Sequence, residues 1–300
     1  MSRTLASQTL GDASVSGPEA AVVLGAGAAV AVLLVGAGVF RPRTLAWSPR
    51  RDLNVGRVDL VLGAVVFALI GCDKLVVDWL QNSVGAWRLL PSVESGLRQL
   101  STVGALAGLM YFLVKAALSE AGWRRSGVLP RRPGRDVAYA AAGVVVGFVS
   151  TTAVLMATNL IATKLGTPSP AVNHGMLTQM QTLQEQGQWA VIAELVVTAV
   201  VVGPLIEELL FRGLLQTWLL TAFGRGGGGR WATLLTAATL FGLTHLGATT
   251  WHALPGLMVF GLTLGWLYER TGSLVPGVLT HAGFNAINVG MVLLGVGAEA

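Results

Sequence analysis

Residues 19–40 read EAAVVLGAGAAVAVLLVGAGVF, one glutamate followed by twenty-one residues without a charge. A bilayer core about 30 Å thick asks for about 20 such residues in a helix. The run is longer than the apolar core of a secretory signal peptide and no short basic start precedes it, so it is expected to stay as a membrane span. Working outward, apolar stretches recur at about 60–80, 99–118, 137–161, 189–223, 231–248, 253–268 and 273–297, which predicts an all-α polytopic membrane protein of about eight transmembrane helices. Composition agrees. Hydrophobic residues make up 53% of the 300 and charged residues 12%, half of the roughly 25% of soluble domains. Neither a soluble globule nor a disordered chain fits. A single cysteine, Cys72, excludes an intrachain disulfide framework and a cysteine-based zinc cluster.

The basic residues give the orientation. Under the eight-helix reading, 13 of the 20 lie in the connections 41–57, 124–135, 225–230 and at Arg270, against four (Arg3, Arg88, Arg98 and Lys164) on the other side. The richer side is expected to be cytoplasmic, which puts both termini outside, at the plasma membrane. The net charge of +5 is thus a topology signal. No basic domain with interleaved aromatics exists for nucleic acid.

The chain divides into a polar tail (1–18), a first group of four membrane helices (19–161), an extracytoplasmic loop (162–188) and a core (189–297). The Gln-rich half of the loop suits a short interfacial helix. Gly203-Pro204 interrupts the long 189–223 stretch, which predicts a kinked helix or a span followed by a second, partly buried helix. GRGGGGR at 224–230 lacks the Gly-Lys-Ser/Thr ending of a phosphate loop and reads as a flexible cytoplasmic turn. The pairs Gly104/Gly108, Gly143/Gly147 and Gly261/Gly265 let helices approach closely.

A charged side chain at the bilayer centre costs roughly 2.5–3.5 kcal/mol on insertion scales, so each needs a reason. Lys115 can snorkel from a helix end, and Lys74 can pair with Asp78 one turn away, near Asp73. His174 and His252 read as interfacial loop residues, and Glu194 has no assignment. The segment GPLIEELLFRGLL (203–215) is different, because Glu207, Glu208 and Arg212 fall within six residues of an apolar helix. Facing lipid unpaired, they would cost roughly 7–10 kcal/mol, comparable to a whole protein's stability. They must line a hydrated, protein-enclosed cavity. Glu208 and Arg212 have the i, i+4 spacing of an ion pair. Glu207 points about 100° away and needs partners from elsewhere. Phe241 and His245 follow in the next helix, and His281 and Asn285 in the last, with Asn288 on the same face. Three polar faces in three apolar helices are expected to share one site.

A carboxylate, two histidines and a carboxamide can hydrolyse an amide. Glu207 can act as general base on water, His245 can hold that water, and His281 with Asn285 can stabilise the oxyanion. No Gly-x-Ser-x-Gly motif supports a covalent route. Glu207, His245 and His281 also form a two-histidine, one-carboxylate set for Zn2+ or another divalent metal, although His-Glu-x-x-His is absent. Both chemistries stay open: no cofactor on the first, a metal on the second.

Glu-Glu-x-x-x-Arg at 207–212, Phe-x-x-x-His at 241–245 and His-x-x-x-Asn at 281–285 resemble the three signature motifs of the CAAX-protease and bacteriocin-processing intramembrane proteases, which include the type II CAAX prenyl endopeptidases. The resemblance covers about 189–297. It implies a site open towards the cytoplasm that cleaves peptide bonds of membrane-associated substrates, CAAX-type or bacteriocin-like. Glu207 and His245 would activate water, and His281 and Asn285 would stabilise the oxyanion. Arg212 would hold the architecture together with Glu208, which could also take part in catalysis. The partners implied are membrane lipid and a peptide or protein substrate. Two other classes use the same residues differently: a non-enzymatic immunity or scaffold protein on this fold, and a proton-coupled transporter, for which no repeated halves are visible.

Overall fold

The computed structural model describes residues 17–39, 132–167, 175–246 and 248–295, with a few positions between 104 and 128. The polar tail up to residue 16, the span expected at 60–80 with Asp73, Lys74 and Asp78, most of 99–118 with Lys115, and His174 lie outside the described residues. Among the described residues the regular structure is helical throughout. In chain order these helices are α1 (Gly17–Gly36), α2 (Pro133–Lys164), α3 (Gly175–Glu185), α4 (Trp189–Phe223), α5 (Gly227–Leu243), α6 (Leu254–Thr271) and α7 (Val275–Leu293).

Two of them, α2 and α4, are long and apolar enough to cross a membrane, and Ala21–Gly36 within α1 is a shorter apolar helix. The expected count of eight is not reached among the described residues. Two of the expected spans fall wholly or mostly outside those residues, and α5 and α6 run only 17 and 18 residues and carry buried polar groups such as Thr233 and Glu269. The Gln-rich half of the 162–188 loop contributes to α3, whose Gln184 side chain donates to the Leu293 carbonyl on α7 (3.1 Å).

The long helix α2 organises the bundle. Proline at its first turn removes an N–H that would have had no partner, and Asp136 in that turn opposes the helix dipole. Its buried residues Asp136, Ala140, Gly143, Gly147 and Thr151 recur every three or four positions, so one narrow stripe of mostly small side chains faces inward. Gly143 sits against Thr280 and Leu267, and Gly147 against Phe260, which seats α2 on α6 and α7. The Thr280 hydroxyl then donates to the Ala140 carbonyl (3.2 Å). Gly261 and Gly265 play the same part on the opposite side of α6, against Ala238 and Leu234 of α5. Two of the glycine pairs thus mark real helix crossings, as packing by small residues requires.

Gly203-Pro204 neither breaks α4 nor divides it. The helix is continuous from Trp189 to Phe223 and changes hydrogen-bond register twice, with π-helical turns at Thr198–Val202 and Leu209–Gln216 around a short α stretch, Gly203–Glu208. A proline ring in a regular α-helix collides with the carbonyl four residues back. A π-turn widens the helix at that point. Such turns also mark functional segments, and here they bracket Glu207 and Glu208.

The glycine run corrects a second expectation. Residues 227–230 form the first turn of α5. Arg230 at its end donates to the Arg225 carbonyl (3.0 Å) and pairs with buried Glu269. These contacts give the run a defined geometry in place of a flexible turn.

Candidate active site

The buried base of the site is Glu208 with Arg212. Both side chains are shielded from solvent, and Arg212 Nη1 lies 3.1 Å from Glu208 Oε1. That contact is an ion pair without hydrogen-bond alignment. Arg212 makes its directed bond through Nη2 to the carbonyl of Gly261 on α6 (3.0 Å), and its guanidinium lies 4.7 Å from the centre of the Phe241 ring. An arginine can be held this way in an apolar interior because an anion, a carbonyl and an aromatic face each take part of its charge. On the other side, Glu208 Oε2 faces Gly277 of α7, where a Cβ would stand only 2.8 Å away. Gly277 leaves the space in which this carboxylate sits.

His245 lies just beyond the end of α5, in the turn at 244–246, and not within the helix as its spacing from Phe241 suggested. The cause is local. A helix end leaves carbonyls without intrahelical donors, and both Thr244 Oγ1 (2.9 Å) and His245 Nδ1 (2.8 Å) bond the Phe241 carbonyl. A carbonyl only accepts, so His245 carries its hydrogen on Nδ1 and points Nε2 away from the helix end.

His281 is fixed from the opposite direction. Its Nδ1 lies 3.3 Å from Glu208 Oε1, and its ring meets Phe260 and Phe241 edge-on. Phe241 therefore touches Arg212, His245 and His281 together and is fully buried. Both Nε2 atoms converge on Glu207 Oε2, each at 3.9 Å. Exposure falls from 34% at Glu207 through 18% at His245 to 5% at His281. Oε2 itself is buried and has no hydrogen-bond partner.

A separation of 3.9 Å is too long for a direct hydrogen bond and suits one oxygen placed about 2.8 Å from each atom. For tetrahedral zinc with bonds of about 2.0–2.1 Å, ligand atoms would stand about 3.3 Å apart. No three His, Cys, Asp or Glu side chains among the described residues are grouped as a metal site. The set Glu207, His245 and His281 has the right ligand types and a wider spacing than zinc requires.

Asn285 is placed differently. Its Nδ2 donates to the carbonyl of Ala199 in the first π-turn of α4 (2.7 Å). Asn288 bonds its own helix, at the Phe284 carbonyl (2.8 Å). His252 lies in the short turn Trp251–Ala253 and is buried there. It stacks on Trp251 and reaches the Thr167 carbonyl through Nε2 (2.9 Å). Glu194 is exposed on α4. Sequence reasoning passed over Gly277, whose role is an absence of atoms, and a second buried polar set. In that set Gln216 Nε2 bonds the Gly265 carbonyl and Glu269 Oε1 (both 3.1 Å), while Arg230 pairs with Glu269. Gln216 follows Glu208 and Arg212 at successive intervals of four, a pattern readable in advance.

Residues 186–287 match the family described as Rce1-like: Type II CAAX prenyl endopeptidase Rce1-like. The segment belongs to the CAAX-protease family. The match covers about a third of the chain, from the start of α4 into α7, and includes the five residues Glu207, Glu208, Arg212, His245 and His281 as well as Asn285. Members of the Rce1-like family are membrane proteins and intramembrane proteases. No curated protein and no solved structure matches the chain.

Proposed function

We propose that the chain is an endopeptidase that hydrolyses peptide bonds of membrane-associated peptides or proteins with a water molecule activated by Glu207. The observation that carries this reading is Glu207 Oε2, a buried, unpartnered carboxylate oxygen with two imidazole Nε2 atoms 3.9 Å away. A water at their meeting point lies against a base and two imidazoles. Glu207 takes a proton from it, the water oxygen adds to the substrate carbonyl carbon, and the proton passes on to the leaving amine. His245, with its hydrogen committed to the Phe241 carbonyl, offers Nε2 to hold the water. His281, braced by Glu208, faces the oxyanion that forms. Arg212 keeps Glu208 in place from the far side. Glu208 thus acts through His281 rather than on the substrate.

The spacing favours a glutamate-type mechanism over a metal-bound one. The CAAX-type family match and the mostly apolar bundle point to substrates presented at the membrane, with prenylated tails and bacteriocin-like peptides as the classes to try. The site would open towards the cytoplasmic side of the plasma membrane. Profiling the termini of membrane proteins in cells carrying wild type or Glu207→Gln tests the proposal. Cleavage products present only with the wild type are expected. Identical termini in the two strains contradict it.

A further inference from the structure

A donor-rich cluster stands apart from Glu207, where α2 begins and α6 ends. Arg135 and Tyr139 lie one turn apart in α2, and Trp266 and Arg270 one turn apart in α6. Arg270 Nε donates to the Tyr139 hydroxyl (3.2 Å), and the Arg135 guanidinium lies 5.2 Å from the centre of the same ring. The indole of Trp266 tilts against that ring, with centres 6.3 Å apart. Its Nε1 is shielded from water and has no hydrogen-bond partner. Guanidinium and indole groups only donate. The phenol oxygen, the one acceptor among these four side chains, is used by Arg270 and keeps its own hydrogen to give. Asp136, the acid nearest in sequence, is buried on the inward stripe of α2 with Ala140 and Gly143. Two positive charges and four donor groups gathered around one ring call for an anion.

We infer that this cluster binds the phosphate of an anionic phospholipid headgroup. Guanidinium groups suit phosphate oxygens, and the surface that continues below the cluster selects a lipid over a free ion. On α2, exposed Ala142 and partly exposed Val146 follow Arg135 and Tyr139 in line at helical spacing. On α6, Thr263 and Val259 follow Arg270 and Trp266, all partly exposed. Thr263 commits its hydroxyl to the Val259 carbonyl of its own helix (3.1 Å) and turns its methyl to Gly147, 3.8 Å from where a Cβ would stand. The groove is cationic at its top, aromatic at its collar and apolar along its shaft, the profile of an acyl chain beneath its phosphate. The helix α2 is long and apolar enough to cross a membrane, and Arg135 and Tyr139 occupy its first two turns, the level at which headgroups meet interfacial aromatic residues. The site makes no use of Glu207, His245 or His281 and stands whether or not the chain cleaves peptides.

Fluorescence quenching of Trp266 tests this in the purified full-length protein. Wild type and Trp266→Phe are reconstituted in phosphatidylcholine bilayers with rising amounts of acyl-brominated phosphatidylglycerol or of phosphatidylcholine brominated in the same way. The difference between the two proteins isolates Trp266. Brominated phosphatidylglycerol should quench that difference at about fivefold lower mole fraction than brominated phosphatidylcholine, the preference one arginine beside anionic lipid supplies. The double variant Arg135→Gln, Arg270→Gln should erase the preference. Where the double variant does not fold, Arg135→Gln alone decides in the same way, since this side chain is exposed in the first turn of α2, and it should reduce the preference. Equal quenching of the wild type by the two lipids overturns the inference, as does a preference undiminished in a folded arginine variant. Inorganic phosphate added at constant ionic strength should leave the quenching unchanged. Phosphate that relieves it as fully as unbrominated phosphatidylglycerol does would overturn the lipid and leave a site for the free ion.

Discussion

Glu208 shows how much of this site is made by residues that never meet substrate. Its carboxylate is buried, shares Oε1 between Arg212 and His281, and turns Oε2 towards Gly277. An added methyl at 277 would enter at 2.8 Å from that oxygen, well inside van der Waals contact. Gly277→Ala is therefore expected to displace Glu208, release His281 Nδ1 and lower both peptide cleavage and the thermal midpoint. Gly290→Ala on the same helix, with nothing within 4 Å of its Cβ position, should change neither. Equal behaviour of the two variants would show that the Glu208 seat is not critical. At this scale Glu207, His245 and His281 were legible because polar groups in apolar helices demand a reason. Gly277 was not, since a glycine in an apolar run gives no signal of what it makes room for. The bond of Asn285 was hidden as well, because its partner is a backbone carbonyl on another helix.

Among the elements, α4 is tied to α6 twice and α5 to α6 once. Arg212 and Gln216 of α4 bond the carbonyls of Gly261 and Gly265 on α6, four residues apart on each helix, and Arg230 of α5 closes on Glu269 of α6. Glu269 is fully buried. Removing the cation from a buried pair costs about 3–5 kcal/mol. Arg230→Met should accordingly lower the thermal midpoint markedly, whereas an unchanged midpoint would show that the pair contributes nothing. Helix positions were readable from apolar periodicity, since length and hydropathy alone place a span. Two details of hydrogen-bond register were not. The π-turns of α4 leave no mark in apolar periodicity. The helical start of α5 within a glycine run depends on Arg230 having Glu269 to meet.

The described residues form a helical bundle in which the match to the CAAX prenyl endopeptidase family starts just before α4, and in which α1 and α2 pack on one another and, through α2, on α6 and α7. The family and the all-helical architecture were recoverable from three short motifs and apolar runs, while the number of spans rests on residues beyond those described. Orientation is open to direct measurement. With Cys72 replaced by serine, a cysteine at Gly226, between α4 and α5, should resist a membrane-impermeant maleimide in intact cells, and one at Thr250, between α5 and α6, should react. The reverse labelling would invert the arrangement inferred from the basic residues.

The central claim is that Glu207 activates a water held by His245, with His281 facing the oxyanion. Its most direct measurement is the cleavage rate of one peptide by purified wild type and Glu207→Gln, each after exhaustive chelation. The account predicts wild-type activity that survives metal removal and a loss of about 10²–10⁴-fold in the variant, with both proteins folded to the same thermal midpoint. Full activity in Glu207→Gln, or wild-type activity that vanishes on chelation and returns only with added metal, would contradict it.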